Sequence, residues 1–87
     1  MRCIKLTGRE SAIVRVIGFG EGVVGSEIQE NTRMVPEDLL DTLNGLMSAG
    51  FIECEPYKEE VGLDEMPATA FELNPAYAHS LKAALYR

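Results

Sequence analysis

Apolar residues in the first third of the chain recur at helical spacing. Ile13, Val16 and Ile17 stand at positions i, i+3 and i+4, which places them on one face of a helix. The β-branched content of the same stretch would also suit a strand. Thr7 is followed three residues later by Glu10, the signature of a capping box at a helix N-terminus. We therefore predict a helix that begins after Thr7.

Three closely spaced glycines, Gly18, Gly20 and Gly22, should end this helix because consecutive glycines cost too much backbone entropy to continue it. Residues 23–24 then predict a very short extended piece, and a second helix should run from residue 25 or 26 to about residue 31. The letters GEGVVG also match the dinucleotide fingerprint G-x-G-x-x-G. That fingerprint needs a long helix and an acidic residue about 20 positions further on, where this chain has Gly45. We interpret the glycines as a helix stop and a turn.

The third predicted helix has the clearest pattern. Pro36 suits the first helical position, where a missing N–H costs nothing, and Gly50 suits a left-handed cap at the end. The helix carries one apolar stripe, formed by Leu39, Leu40, Leu43, Leu46 and Met47. Such a stripe is typical of a helix that packs on a core.

The last third alternates between apolar and polar residues before it becomes helical again. Ile52 and Cys54 should face the core while Glu53 and Glu55 face water, as in a half-buried strand. Residues 58–67 predict a loop, residues 68–73 a returning strand, and the residues from about 74 onward a final helix. One face of that helix should carry four residues, Tyr77, Leu81, Ala84 and Leu85.

The predicted order is helix, short strand, helix, helix, strand, loop, strand and helix, in a single domain over residues 1–87. This α+β layout is that of a winged helix, with a three-helix helix-turn-helix core, a β-hairpin wing and a C-terminal helix. Four short stretches carry a resemblance to a known family: Leu6-Thr7, Ser26-Glu27-Ile28, Val35-Pro36 and Gly50-Phe51-Ile52-Glu53. They resemble the core of MarR-type winged-helix regulators. The resemblance implies a recognition helix that begins at Pro36, DNA binding, and dimerisation through terminal helices.

Charge is distributed unevenly along the 87 residues. The formal net charge is −6, and residues 34–74 hold ten acidic side chains and one basic side chain. A DNA-binding protein normally concentrates Lys and Arg where it meets phosphate. We therefore expect DNA binding to be weak or absent, unless Arg9, Arg15 and Arg33 lie on the reading side.

The outward side of the predicted recognition helix and wing forms the candidate interaction surface. Its helix members are Glu37, Asp38, Asp41, Asn44 and Ser48, and its wing members are Tyr57, Lys58, Glu59 and Glu60. Acids in a first helical turn are favoured by the helix dipole, which does not account for Asp41. Three interpretations remain: a solvated acidic face, a docking surface for a protein partner, and a weak or indirect DNA-binding role.

No set of catalytic or metal-binding residues is apparent in the sequence. His79 and Ser80 are adjacent on one helix and so do not face each other. Cys3, Cys54 and His79 lack the close pairs that are typical of zinc sites. We expect no enzymatic activity, no metal and no cofactor, and free thiols rather than a redox pair.

Our first hypothesis is a non-enzymatic interaction module that binds a protein partner or a second copy of itself. The alternative is a small MarR-like DNA-binding regulator. Tyr77, Leu81 and Leu85 predict a dimer helix, because they offer more apolar surface than a small core should cover. Without a membrane-spanning run or a signal-peptide pattern, we expect a cytoplasmic protein.

Overall fold

The structure is a computed structural model that describes residues 5–85. In chain order its helices and strands are α1 (Gly8–Ile17), β1 (Val23–Val24), α2 (Gly25–Thr32), α3 (Pro36–Ser48), β2 (Ile52–Glu55), β3 (Ala70–Leu73) and α4 (Ala78–Leu85). The three strands form one antiparallel sheet in the order β1-β3-β2. The predicted α+β class and element order are confirmed, and the arrangement is compatible with a winged helix.

The ends of α1 follow the local sequence. The Thr7 hydroxyl accepts a hydrogen bond from the Glu10 N–H at 3.1 Å, and the Glu10 carboxylate accepts one from the Thr7 N–H at 2.8 Å. These reciprocal bonds form the predicted capping box. Gly18 ends the helix with a φ of 70°, a conformation that favours glycine because it has no Cβ.

One hydrophobic cluster joins the helices to the inner face of the sheet. From α3 it receives Leu39, Leu43 and Leu46, all fully buried, while Leu40 and Met47 pack against its margin. Gly50 has a φ of 85° just beyond the end of α3. The predicted stripe and the left-handed position after α3 are therefore confirmed.

The register of β2 on β3 confirms the predicted alternation. Ile52 and Cys54 are buried, whereas Glu53 and Glu55 are exposed. Glu53 lies directly opposite Glu72 on β3, which is also exposed. The outer face of the sheet therefore brings two carboxylates together across neighbouring strands.

The connection between β2 and β3, residues 56–69, is partly buried, which the prediction of a loop over residues 58–67 did not include. We call it the β2–β3 loop. Val61 and Met66 within it are 2% and 1% exposed, and residues Met66–Ala68 form a short 3₁₀ helix. Burial of these two large apolar side chains holds the loop against the helices, while the predicted wing residues 57–60 stay exposed.

Gly25 allows the loop to approach the start of α2. Its N–H donates to the Thr69 carbonyl at 2.9 Å, and a Cβ at this position would lie 2.1 Å from the Met66 carbonyl oxygen. No side chain fits at that distance. The last glycine of GEGVVG therefore serves a close contact within the fold.

The C-terminal helix covers its own leucines. A 3₁₀ turn (Pro75–Tyr77) precedes α4, and Leu81 and Leu85 are 0% and 7% exposed within the core. Tyr77 remains partly exposed and packs edge-on against Phe51, with ring centroids 5.2 Å apart. The prediction that these leucines form an uncovered dimer face is wrong, because the core of this small domain is large enough to enclose them.

None of the helices within residues 5–85 has the length and apolar character needed to cross a membrane.

Candidate interaction surface

The acidic residues at the start of α3 fall into two groups. Glu37 and Asp41 are exposed, whereas Asp38 forms a salt bridge with Arg9 of α1, with 3.4 Å between the charged atoms. Both partners of this salt bridge are largely solvent-accessible, so its net contribution to stability is only about 0–1 kcal/mol. Glu37 and Asp41 are one helical turn apart and form no salt bridge with another residue of the 5–85 range.

The three arginines that could have held DNA do not converge on α3. Arg9 is already paired with Asp38. Arg15 donates to the Leu85 carbonyl at 3.1 Å, which ties α1 to the end of α4. Arg33 is exposed just after α2, where it has a φ of 58°. These positions leave the outward side of α3 without a cluster of positive charge within the described part of the chain.

Asn44 does not present a free amide to solvent, as the sequence had led us to expect. Its Nδ2 donates to the Val61 carbonyl at 3.0 Å, and its Oδ1 accepts from the Val61 N–H at 2.9 Å. One side chain therefore satisfies both backbone groups of a buried loop residue. Asn44 is a structural tether between α3 and the β2–β3 loop, which corrects its predicted place on the interaction surface.

A cleft of roughly 490 Å³ lies between the C-terminal half of α3 and strand β2. Its lining includes two predicted helix residues, Asn44 and Ser48, and all four predicted wing residues, Tyr57, Lys58, Glu59 and Glu60. The structure thus brings these six residues together. It places Glu37, Asp38 and Asp41 outside the cleft, toward the N-terminus of α3.

Lys58 is engaged within the loop. Its ammonium group pairs with the carboxylate of Glu65, and that carboxylate also accepts a hydrogen bond from the Gly62 N–H at 2.9 Å. The Lys58 hydrogen bond, followed by the Gly62 one, lowers the pKa of Glu65 below its ordinary value. The one basic side chain of the predicted wing is therefore committed to a local contact.

Tyr57, Glu59 and Glu60 remain exposed along the cleft. Tyr57 is 77% exposed, the most accessible large apolar side chain among the described residues. Glu53 on β2 also lines the cleft. The alternation of β2 predicts that Glu53 faces solvent, but only the packing of β2 beside α3 brings it to this cleft.

The Cys54 thiol is buried at the cleft. Its Sγ lies 3.4 Å from the Pro56 carbonyl oxygen and 3.5 Å from that of Lys58, so the thiol can donate a weak hydrogen bond to the loop backbone. Cys3 lies outside the described residues. Across residues 5–85, no three His, Cys, Asp or Glu side chains are grouped so as to hold a metal ion.

Comparisons with protein-family models, curated proteins and solved structures give no match to this chain.

Proposed function

We propose that this protein is a non-enzymatic interaction domain that binds a basic protein partner through an acidic surface. We define the acidic surface as Glu37 and Asp41 on α3, Glu53 on β2, and Glu59 and Glu60 in the β2–β3 loop. The observation that carries the proposal is that the basic side chains near α3 are paired, whereas five nearby carboxylates are exposed. Within residues 5–85 the salt bridges there engage Arg9 and Lys58, while all five acidic-surface carboxylates are exposed.

The like charges of Glu37 and Asp41 slightly destabilise α3. Like charges at i and i+4, as at Glu37 and Asp41, disfavour an isolated helix by about 0.2–0.5 kcal/mol. The helix dipole offsets this only in the first turn, which holds Glu37 and Asp38 but not Asp41. A basic partner would convert the repulsion into attraction and would associate faster at low salt.

A small MarR-like DNA-binding regulator is the second candidate. The element order and the three-stranded sheet favour it, since both are compatible with a winged helix. A carboxylate can accept a hydrogen bond from cytosine N4, but phosphate repels the surrounding acids. We expect binding to duplex DNA to stay within the non-specific range, about 10⁻⁴–10⁻⁶ M at physiological salt.

The two candidates are separated by a DNA titration at several salt concentrations. Phosphate contacts produce a steep loss of affinity as salt rises. Sequence-specific binding in the nanomolar range would refute the interaction-domain proposal in favour of the regulator.

The role of the acidic surface is tested with a double variant, Glu37→Gln with Asp41→Asn, used as bait in a lysate of the native host. We expect it to remain folded and to lose basic proteins that the wild type retains. The matched control is Glu21→Gln with Glu30→Gln, which removes the same charge from exposed positions outside α3. Equal recovery by all three proteins would mean that Glu37 and Asp41 serve only solubility.

We propose the cytoplasm as the protein's location.

Self-association with a second copy of this chain is the other interaction that the protein could make. Light scattering at about 100 μM, well above a micromolar dissociation constant, reports the mass. The net charge of −6 opposes contact between two acidic surfaces, so we expect a monomer at low salt.

A further inference from the structure

Strand β2 lies at an edge of the sheet. The strand order β1-β3-β2 gives it a hydrogen-bonded neighbour on one side, and α3 stands beside its other side across the cleft. An edge strand presents unpaired N–H and C=O groups that can pair with another chain.

A hydrogen bond just beyond β2 shows which residues of this strand direct their backbone groups away from β3. The Asn74 N–H donates to the Phe51 carbonyl at 2.9 Å, and these residues continue the β2–β3 register. Opposed residues in an antiparallel pair alternate between bonded and non-bonded pairs. Glu53 and Glu55 are therefore bonded to β3, whereas the backbone groups of Ile52 and Cys54 point away from it.

The pairing of β3 with β1 also shows that the Cys54 backbone groups point away from β3. The Gly25 N–H donates to the Thr69 carbonyl at 2.9 Å, in register with the pairing of Val23 and Phe71. Phe71 thus directs its backbone groups to β1. Since Cys54 lies opposite Phe71, the Cys54 groups cannot be bonded to β3.

The outward groups of Ile52 and Cys54 have no hydrogen-bond partner among residues 5–85. Both residues line the cleft, and they are only 2% and 5% exposed. Buried backbone groups are nearly always paired with protein or with ordered water. The recessed edge of β2 therefore offers two N–H donors and two C=O acceptors to an occupant of the cleft.

We propose that an extended segment of a basic partner protein adds to β2 as a further strand within this cleft. This inference rests on the proposed function and specifies how the partner would bind. Backbone hydrogen bonds to Ile52 and Cys54 would supply affinity, and alternate side chains would supply specificity.

The alternation of β2 specifies the sequence of the segment. Side chains on the outer face would lie beside Glu53 and Glu55, which favours Lys or Arg there. Side chains on the other face would meet Met47 of α3 and Tyr57, which also line the cleft and favour apolar residues. The segment should therefore alternate basic and apolar residues.

The same charges argue against a second copy of this chain as the occupant. Pairing β2 with another β2 would set Glu53 and Glu55 against identical carboxylates, and like charges directly opposite each other destabilise a sheet. β2 has no basic side chain that could compensate. Charge complementarity therefore selects a basic strand.

The test uses isotope-labelled full-length protein and a short synthetic peptide of alternating lysine and valine. NMR should show slower hydrogen exchange and shifted signals for the Ile52 and Cys54 amides. An analogue N-methylated on alternate residues keeps the charge and loses the outward N–H donors, so we expect no protection from it. Equal protection by both peptides, or no change at these amides at millimolar peptide, would overturn the proposal.

Two variants locate the binding. Glu53→Gln with Glu55→Gln should weaken peptide binding about 2- to 30-fold, which corresponds to the loss of two cross-strand charge pairs. The control Glu21→Gln with Glu30→Gln should leave binding unchanged.

Ser48→Arg places a large cation at the cleft and should abolish peptide binding. Ala83→Arg adds the same charge at an exposed position on α4 and should have little effect. Equal affinities within each pair would contradict the assigned location.

The Glu37→Gln and Asp41→Asn variant separates this inference from the proposed function. If the wild type recovers a basic partner and this variant does not, while the lysine–valine peptide leaves the Ile52 and Cys54 amides unchanged, the acidic surface binds a partner without strand addition. If peptide protection is present but no partner depends on Glu37 and Asp41, the interaction is confined to the cleft. If mass measurement shows a dimer with protected Ile52 and Cys54 amides, a second copy occupies the edge and the proposal of a basic strand is wrong.

Discussion

In the β2–β3 loop, the Glu65 carboxylate accepts from the Gly62 N–H and pairs with Lys58. On α3, by contrast, Glu37 and Asp41 lie in water without a salt bridge to another described residue. Both segments look alike in the sequence, as acidic stretches beside apolar residues. The difference shows that composition does not tell whether a carboxylate shapes its own fold or is available to another molecule.

The two segments also differ in how firmly they are attached. The loop has no long regular element, yet Val61 and Met66 bury it against α3 and α2. The acids of α3 lie on the exposed side of a helix whose other side is already packed. Substitutions in the loop contacts should therefore affect stability, whereas neutralising Glu37 and Asp41 should affect binding.

The largest effect is expected where the loop meets α2. Gly25→Ala would place a Cβ 2.1 Å from the Met66 carbonyl oxygen, and a backbone atom cannot yield as a flexible side chain can. We expect a loss of about 3 kcal/mol in the free energy of unfolding, the upper part of the usual range for overpacking. Urea denaturation measures this loss.

Gly45→Ala is the matched control for this substitution. A Cβ there meets nothing within 4 Å, and Gly45 lies inside α3, so stability should rise by about 0.5–1 kcal/mol. Wild-type stability in Gly25→Ala would show that the loop does not press on the start of α2.

Asn44→Ala tests the second attachment of the loop. It removes both hydrogen bonds between the Asn44 side chain and the backbone of buried Val61, and each such bond contributes about 0.5–1.5 kcal/mol net. We expect a loss of about 1–3 kcal/mol overall, with faster hydrogen exchange at the Val61 amide. Asn31→Ala, which removes an exposed hydrogen bond to the Glu27 carbonyl, should change stability by less than about 0.5 kcal/mol.

A smaller effect of opposite sign is expected on the outer face of the sheet. Glu72 lies directly opposite Glu53, so Glu72→Lys converts a repulsive cross-strand pair into an attractive one. The free energy of unfolding should rise by about 0.2–1 kcal/mol. Glu21→Lys changes the net charge equally at an exposed turn and serves as the control. Equal stabilisation by both would assign the gain to net charge alone.

The smallest effect should appear in the pH dependence of stability. The folded-state pKa of Glu65 is lowered from 4.5 by Lys58 first and by the Gly62 N–H second. Its contribution is therefore present above pH 4.5 and is lost as the pH falls through the lowered folded-state value. Glu65→Gln should flatten the loss of stability in that acidic range, as measured by urea denaturation at several pH values.

Lys58→Met provides the companion measurement for Glu65. It removes the largest cause of the lowered pKa, so an NMR titration should show the Glu65 carboxyl moving back toward its ordinary value. An unchanged titration would mean that the Gly62 N–H alone holds the carboxylate.

Several elements could be predicted from the sequence because the forces that form them act between near neighbours. Thr7 and Glu10 form their capping box within one turn, and Pro36 and Gly50 bound α3 through their own backbone preferences. The alternation of residues 52–55 depends only on the pleat of a strand. The outward side of α3 was found in the same way, from helical periodicity.

The predictions that proved wrong concern contacts between distant parts of the chain. Leu81 and Leu85 have the same periodicity whether their helix face packs into the core of the domain or stays open to a second copy. Only the core into which they pack shows that the face is covered. Asn44 was assigned to the solvent side by its place on the helix, but Val61 lies 17 residues further along the chain. No local pattern marks that pairing.

The sequence by itself determined the order of the helices and strands, where α1 and α3 begin, which sides of α3 and β2 face the core, and that the middle of the chain is acidic. Only the tertiary structure decided that the β2–β3 loop folds back onto α2 and α3, that Lys58 and Arg9 are already engaged, and that the free edge of β2 opens into a cleft. The physical reason is that periodicity and capping are set by bonds a few residues long, whereas the approach of Gly25 to Met66 depends on how every element between them packs.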